Sequence, residues 1–128
     1  DGLEGALSEL TQQATRIYDI MVKFECPDPI FMEDSGKAVQ LYRIAQEAVS
    51  NAIRHGNPST ITVSLYMEAA HLVLSVSDDG DGIAPDHQGG LGLMTMAHRA
   101  QLLGGELDVH TGSGEGTRVS CSFPHDNE

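Results

Sequence analysis

The residues best suited to chemistry lie in one stretch, Gln46-Glu47-Ala48-Val49-Ser50-Asn51-Ala52-Ile53-Arg54-His55-Gly56. Glu47, Asn51 and His55 stand four apart in it. That spacing puts them on one face of a helix, so a carboxylate, an amide and an imidazole line one edge of a single rod. The carboxylate can accept a proton or orient a nucleophile. The amide oxygen suits a hard divalent cation. Arg54 or His55 can approach a phosphate. Three glycine clusters follow: Asp78-Asp79-Gly80-Asp81-Gly82, Gly89-Gly90-Leu91-Gly92-Leu93 and Gly112-Ser113-Gly114-Glu115-Gly116-Thr117. Taken together, the stripe and the clusters point to an ATP site.

Each cluster has a plainer reading when taken alone. The stripe could simply solvate the outer face of a helix, although it borders apolar positions. Asp78–Gly82 comes off a strand, where glycines permit positive φ and the close approach of a flat ring. A carboxylate there can accept a hydrogen bond from an exocyclic amine such as adenine N6. The alternatives are an acidic turn or a calcium loop, but the EF-hand spacing is not met. Gly90-Leu91-Gly92 opens a helix, whose free amides and dipole favour phosphate. It is neither a dinucleotide fingerprint nor a P-loop, because the spacing is wrong and no Gly-Lys-Ser/Thr occurs. Gly114-x-Gly116-Thr117 could be a hairpin turn alone.

The surrounding pattern supplies elements to position these residues. Leu3, Leu7, Leu10, Ala14, Ile17 and Met21 form an apolar stripe at helical spacing. Cys26-Pro27-Asp28-Pro29 ends any helix, and Ile30-Phe31-Met32 is expected to be a short strand. A second helix is expected over 37–55, with Leu41, Ile44, Ala45, Ala48 and Ala52 inward and Gly56-Asn57-Pro58 as its stop. Ile61, Val63, Leu65 and Met67 alternate with polar residues, as do Leu72, Leu74 and Val76, which predicts a hairpin around Glu68-Ala69-Ala70. A third helix is expected over 91–103, closed by Gly104-Gly105. Leu107–Val109 and Val119–Phe123 read as a last hairpin. This order predicts an α+β fold, a two-layer α/β sandwich with a mixed, mostly antiparallel sheet and helices on one face.

Composition narrows the function classes. The chain has 128 residues, the size of one compact domain, and 40% of them are apolar, enough for a core. The net charge is −12, from 19 acidic and 7 basic residues. That balance argues against nucleic-acid binding. It also repels a polyphosphate, so a bridging Mg²⁺ is expected. No run is long and apolar enough for a membrane span, so no direct membrane contact is expected. The two cysteines, Cys26 and Cys121, lack metal-type spacing and read as reduced thiols of a cytoplasmic unit. The start at Asp1 suggests a piece of a longer protein, which elsewhere could carry a membrane anchor.

As an ordered set, these motifs resemble the ATP-binding catalytic domain of sensor histidine kinases, within the gyrase/Hsp90/histidine-kinase/MutL ATPase superfamily and its Bergerat-type fold. Glu47-x3-Asn51-x3-His55 resembles the N box, and Asp78-x-Gly80-x-Gly82 the G1 box. Gly90-Leu91-Gly92-Leu93 resembles the G2 box, and Gly114-x-Gly116-Thr117 the last glycine box. The resemblance covers residues 37 to 124. Met96-Ala97-His98-Arg99-Ala100-x2-Leu103-Gly104-Gly105 is similar to the subfamily whose response regulators have helix-turn-helix output. Residues 1–26 resemble the lead-in that follows that subfamily's phosphoacceptor helices.

The resemblance implies roles. Asn51 would hold Mg²⁺. Glu47, the catalytic residue, would act as base or polarise the attacking group. Arg54 and His55 would lie near the phosphates. Asp78 would bind the adenine amine, with Gly80 and Gly82 shaping that pocket. Gly90 and Gly92, with Leu93, would meet the phosphates, and Thr117 would support adenine through water. Residues 83–89 would be a short ATP lid without a phenylalanine-containing box. Asp79 stands where Asn is common and adds negative charge near the ligand. No histidine here has the context of a phosphoacceptor, so the acceptor is expected on an upstream dimerisation domain of the same protein. Two rivals stay open: a serine kinase of the anti-sigma-factor type, and a non-catalytic nucleotide-binding docking domain.

Overall fold

The computed structural model describes residues 2–82, 91–112 and 115–128. The elements run α1 (Gly2–Tyr18), β1 (Met21–Glu25), α2 (Ser35–Asn51), a π-helical turn (Ala52–Gly56), β2 (Thr60–Glu68), β3 (His71–Asp78), α3 (Leu91–Leu102), β4 (Glu106–Gly112) and β5 (Gly116–Pro124). One sheet takes the order β1-β2-β3-β5-β4. β1 lies parallel to β2, and the other pairings are antiparallel. This is the expected two-layer α+β sandwich.

The two-residue alternation decides which face of the sheet is buried. Ile61, Val63 and Leu65 of β2, Leu72, Leu74 and Val76 of β3, and Val119, Cys121 and Phe123 of β5 all turn inward. They meet Leu41, Ile44, Ala45 and Ala48 of α2, Met96 and Ala100 of α3, and Leu3 and Leu7 of α1 in one core. β3 is the central strand and is covered more fully. Val73 and Ser75, on its opposite face, are buried as well, and the Arg118 Nε donates to Ser75 Oγ across that face at 3.3 Å. Both cysteines are free thiols, and burial raises each to a pKa of about 11.

α2 starts where Asp34 caps it. The Asp34 Oδ1 accepts from the Gly36 and Lys37 amides at 2.9 and 3.1 Å, satisfying two donors that the first turn leaves open. The helix therefore begins two residues before the expected 37. At its other end the backbone widens into a π-turn over Ala52–Gly56, so Arg54 and His55 depart from the expected α-helical register. Asn57, at φ 49, then ends the run in the left-handed region.

One expected element is corrected. Ile30-Phe31-Met32 is not a strand; the strand is β1, nine residues earlier. The apolar stripe extends the first helix through Ile17 to Met21, but the helix ends at Tyr18 and the chain turns at Asp19, whose φ is 56. Thr15 ties the two sides of this turn: its Oγ1 accepts from the Val22 amide at 3.1 Å. The 29–31 segment is held by the C-terminal tail instead. Asn127 Oδ1 accepts from the Phe31 amide at 2.7 Å, its Nδ2 donates to the Pro29 carbonyl at 3.0 Å, and His125 Nε2 pairs with the Phe31 carbonyl.

The β2–β3 hairpin falls as expected. Its two connecting residues, Ala69 and Ala70, lie at φ 51 and 65. A two-residue turn of this primed kind matches the twist of the strands, yet it places two alanines where glycine or asparagine is favoured.

Candidate nucleotide site

α2, its π-turn, the end of β3, the start of α3 and the first half of β5 converge on one cleft. Ala48, Asn51, Ala52, Gly56, Val76, Asp78, Leu93, Thr117 and Val119 line it. Four of the expected site residues (Asn51, Asp78, Leu93 and Thr117) thus share one cavity. The sheet register explains two of them, since Asp78 lies directly opposite Thr117. The cavity holds about 10 Å³, room for about one water. A purine can enter only if lining side chains move. A much larger groove lies elsewhere, about 830 Å³ between α1 and α2 beside Leu3, Leu10, Val39 and Tyr42. None of the expected site residues borders it, so its size does not make it the stronger candidate.

Asp78 is the half-buried acid of the cleft. Its Oδ1 accepts from the Gly80 amide at 2.8 Å. Burial raises its pKa above the ordinary carboxylate value, while the Gly80 and Thr117 backbone amides pull the other way. A half-buried carboxylate with few partners is suited to a ligand donor that replaces its lost water.

Gly80 is required by close approach. A Cβ there would run into the Gly56 carbonyl and stand 2.9 Å from Asp78 Oδ1. The Gly56 carbonyl also accepts from the Asp81 amide at 2.7 Å, which locks the π-turn to the Asp78 loop. Gly82 follows at φ 83 and is buried.

Asp79 takes a different part from the one expected. Its carboxylate faces the backbone rather than the cleft: Oδ1 accepts from the Ser59 and Thr60 amides at 2.8 and 2.9 Å. Those two bonds, Thr60's first, hold its pKa below the ordinary value.

At the outer end of the cleft, Glu47 and Asn51 face the start of α3. A Cβ on Gly92 would lie 2.5 Å from Glu47 Oε2 and 2.9 Å from Asn51 Nδ2. Arg54 reaches back over both residues. Its Nη2 donates to Asn51 Oδ1 at 2.7 Å and to Glu47 Oε2 at 3.3 Å. His55 is exposed and does not line the cavity. On β5, Thr117 Oγ1 shares a 3.0 Å hydrogen bond with Thr111 Oγ1. Gly90 and the expected lid, 83–89, lie outside the described residues.

Four participants were not anticipated from sequence. Gly56 read only as a helix stop, yet its carbonyl joins two loops. Ala48 and Ala52 read as core positions and also form the floor of the cleft. Asp79 read as an added charge near the ligand. Only its place directly after a strand hinted at a role in capping a neighbouring strand.

The donor set fits Mg²⁺ in kind. Glu47 and Asn51 present one carboxylate and one amide oxygen, and Mg²⁺ at nucleotide sites takes few protein ligands beside phosphates and water. A guanidinium already sits on both oxygens, which shows that the position suits a cation. Among the described residues, no group of three His, Cys, Asp or Glu side chains could form an all-protein metal site.

Comparison with known proteins identifies the family and the fold. Residues 36–127 match the family described as histidine kinase-, DNA gyrase B- and HSP90-like ATPase, and the chain belongs to that family. It is 40% identical over 87 residues to the signal transduction histidine-protein kinase/phosphatase UhpB of Salmonella typhimurium. That match covers 67% of this chain but only 17% of UhpB. Among solved structures, the histidine kinase domain of the Erythrobacter litoralis EL346 blue-light activated histidine kinase superposes with a TM-score of 0.77 at 27% identity. That superposition covers 96% of this chain and 61% of the other. The ATP binding domain of PrrB from Mycobacterium tuberculosis gives 0.74 at 24% identity, covering 98% and 96%, a likeness of fold. The fold and these relatives define the class as the ATP-binding domain of sensor histidine kinases. No anti-sigma-type serine kinase is needed to account for them.

Proposed function

We propose that the chain binds Mg·ATP and serves as the catalytic module of a two-component sensor histidine kinase. The γ-phosphoryl group would pass to a histidine on an upstream dimerisation domain of the same protein, and from there to a response regulator. The observation that carries this reading is the convergence of Asn51, Asp78, Leu93 and Thr117 on one cleft in a member of this ATPase family.

The chain's own residues divide the work. Asp78 accepts the adenine amine, and Thr117, opposite it, supports the ring through water. Gly80 and Gly82 keep the pocket wall thin. Gly92 brings the start of α3 close to Asn51, where amides at a helix N-terminus favour phosphate. Arg54 supplies positive charge at the phosphate end, and His55 lies near it. Bound Mg²⁺ would be held by Asn51, with Glu47 beside it, and would neutralise phosphate charge. Glu47 also orients the acceptor imidazole or takes its proton. Phosphoryl transfer depends mostly on such positioning and charge neutralisation.

Residues 1–128 form one ATP-binding unit in this proposal, with 1–26 as the lead-in from the phosphoacceptor domain. The sequence 96–105 supports a regulator with helix-turn-helix output. The cytoplasmic side is where ATP and such a regulator are found. Among the described residues no helix is long and apolar enough to cross a membrane, so any anchor would belong to another part of the protein. The test is autophosphorylation of the full-length protein carrying Asn51→Ala. The proposal expects loss of phosphohistidine with the fold retained, and turnover near that of the wild type refutes it.

A further inference from the structure

We propose that Arg54 is an internal counter-cation for the metal-binding oxygens, and that a divalent ion must displace it to enter. The proposal rests on the nucleotide reading above. Arg54 Nη2 lies 2.7 Å from Asn51 Oδ1 and 3.3 Å from Glu47 Oε2. These are the two oxygens best suited to Mg²⁺. One guanidinium nitrogen and one metal ion cannot occupy that position together.

The local backbone makes this exchange feasible. Arg54 sits in the π-turn rather than in the regular helix. Arg54 stands three residues beyond Asn51 and seven beyond Glu47, so it shares their face of the rod and folds back over both. Its side chain is 58% exposed, while that of Glu47 is 33% exposed. The guanidinium can swing into solvent or toward a ligand without opening the core. In a chain of net charge −12, it also keeps the unloaded cleft from presenting bare acceptors. On loading, the displaced guanidinium lies beside the phosphate end of the cleft. Metal arrival and delivery of a cation to the phosphates are then one coupled event.

The experiment measures metal alone, so no phosphate contact contributes. Mn²⁺ suits the same oxygen donors as Mg²⁺, and its binding to the 128-residue chain is read from water-proton relaxation. Arg54→Ala is compared with Arg43→Ala, which removes the same charge four residues before Glu47 on α2. Thermal unfolding confirms that both variants fold. The proposal expects Arg54→Ala to bind Mn²⁺ about two- to fivefold more tightly than wild type, the range for losing an exposed ion pair, and more tightly than Arg43→Ala. It also expects the gain to vanish when Asn51→Ala is added. Equal gains from both arginine variants would reduce the effect to bulk charge and overturn the proposal. Unchanged affinity in Arg54→Ala overturns it, and so does a lack of Mn²⁺ binding by every variant. Failure of the nucleotide reading would appear separately, as no Mg·ADP binding by the wild-type chain.

Discussion

Asp78→Asn separates ligand recognition from folding. The substitution keeps the size and leaves an oxygen to accept from the Gly80 amide, which now lies 2.8 Å from Oδ1. It replaces a charged acceptor with a group that is half donor, facing the adenine amine in the proposed pose. A hydrogen bond to a charged group contributes roughly 1.5–3 kcal/mol. Its loss predicts Mg·ADP binding weaker by about ten- to a hundredfold. The fold should respond in the opposite sense. Burial raises the Asp78 pKa, so the folded chain holds this proton more tightly than the unfolded chain. The group's contribution to stability is then fully present below the unfolded value of 3.8. It is lost as pH rises through the raised folded value. At pH 7 the wild type bears the cost of a desolvated carboxylate that the neutral variant avoids. The assay is isothermal titration with Mg·ADP at pH 7, paired with thermal unfolding of both proteins. The reasoning predicts weak binding with an equal or higher Tm. Affinity within twofold of wild type refutes the role of Asp78, and a large fall in Tm refutes the electrostatic argument.

Three further outcomes follow from particular contacts. Ala70→Gly relieves a left-handed alanine in the β2–β3 turn, where φ is 65. It should stabilise the fold by about 1 kcal/mol, read as a shift in the urea midpoint with unchanged slope. Gly80→Ala drives a methyl group toward the Gly56 carbonyl. It should cost roughly 1–3 kcal/mol by overpacking and weaken Mg·ADP binding as well, checked by chemical denaturation and titration. Asp79→Ala removes the acceptor of the Ser59 and Thr60 amides. Because that pKa is lowered, the stabilisation is present above the unfolded value of 3.8 and fades as pH falls through the folded value. Thermal unfolding across pH should show Asp79→Ala less stable at neutral pH, with the gap closing in acid.

Much of this fold can be read from its apolar periods. The alternation in β2, β3 and β5 and the stripe on α2 carry their own geometry, because each buries one face against the other layer. β1 escaped for a physical reason. Met21 continues the helical stripe of Leu3, Leu7, Leu10, Ala14 and Ile17, and only the left-handed turn at Asp19 takes it out of the helix. A five-residue edge strand is also too short to show a period of its own. In the site, Asn51, Asp78, Leu93 and Thr117 could be picked out because their spacing matches an ordered set of boxes. The Arg54 bridge and the Asp79 clamp could not. The first depends on which way a long, exposed guanidinium lies on its helix face, and the second on backbone amides nineteen and twenty residues away in sequence.

In the proposed complex, adenine and the metal occupy opposite ends of one cleft. A crystal structure of the chain with a non-hydrolysable ATP analogue and Mg²⁺ tests this most directly. The predicted result has the adenine amine on Asp78, the phosphates beside Gly92, the metal on Asn51 Oδ1, and Arg54 lifted from that oxygen. An analogue bound in the α1–α2 groove, with the cleft still closed around Leu93, would contradict the account.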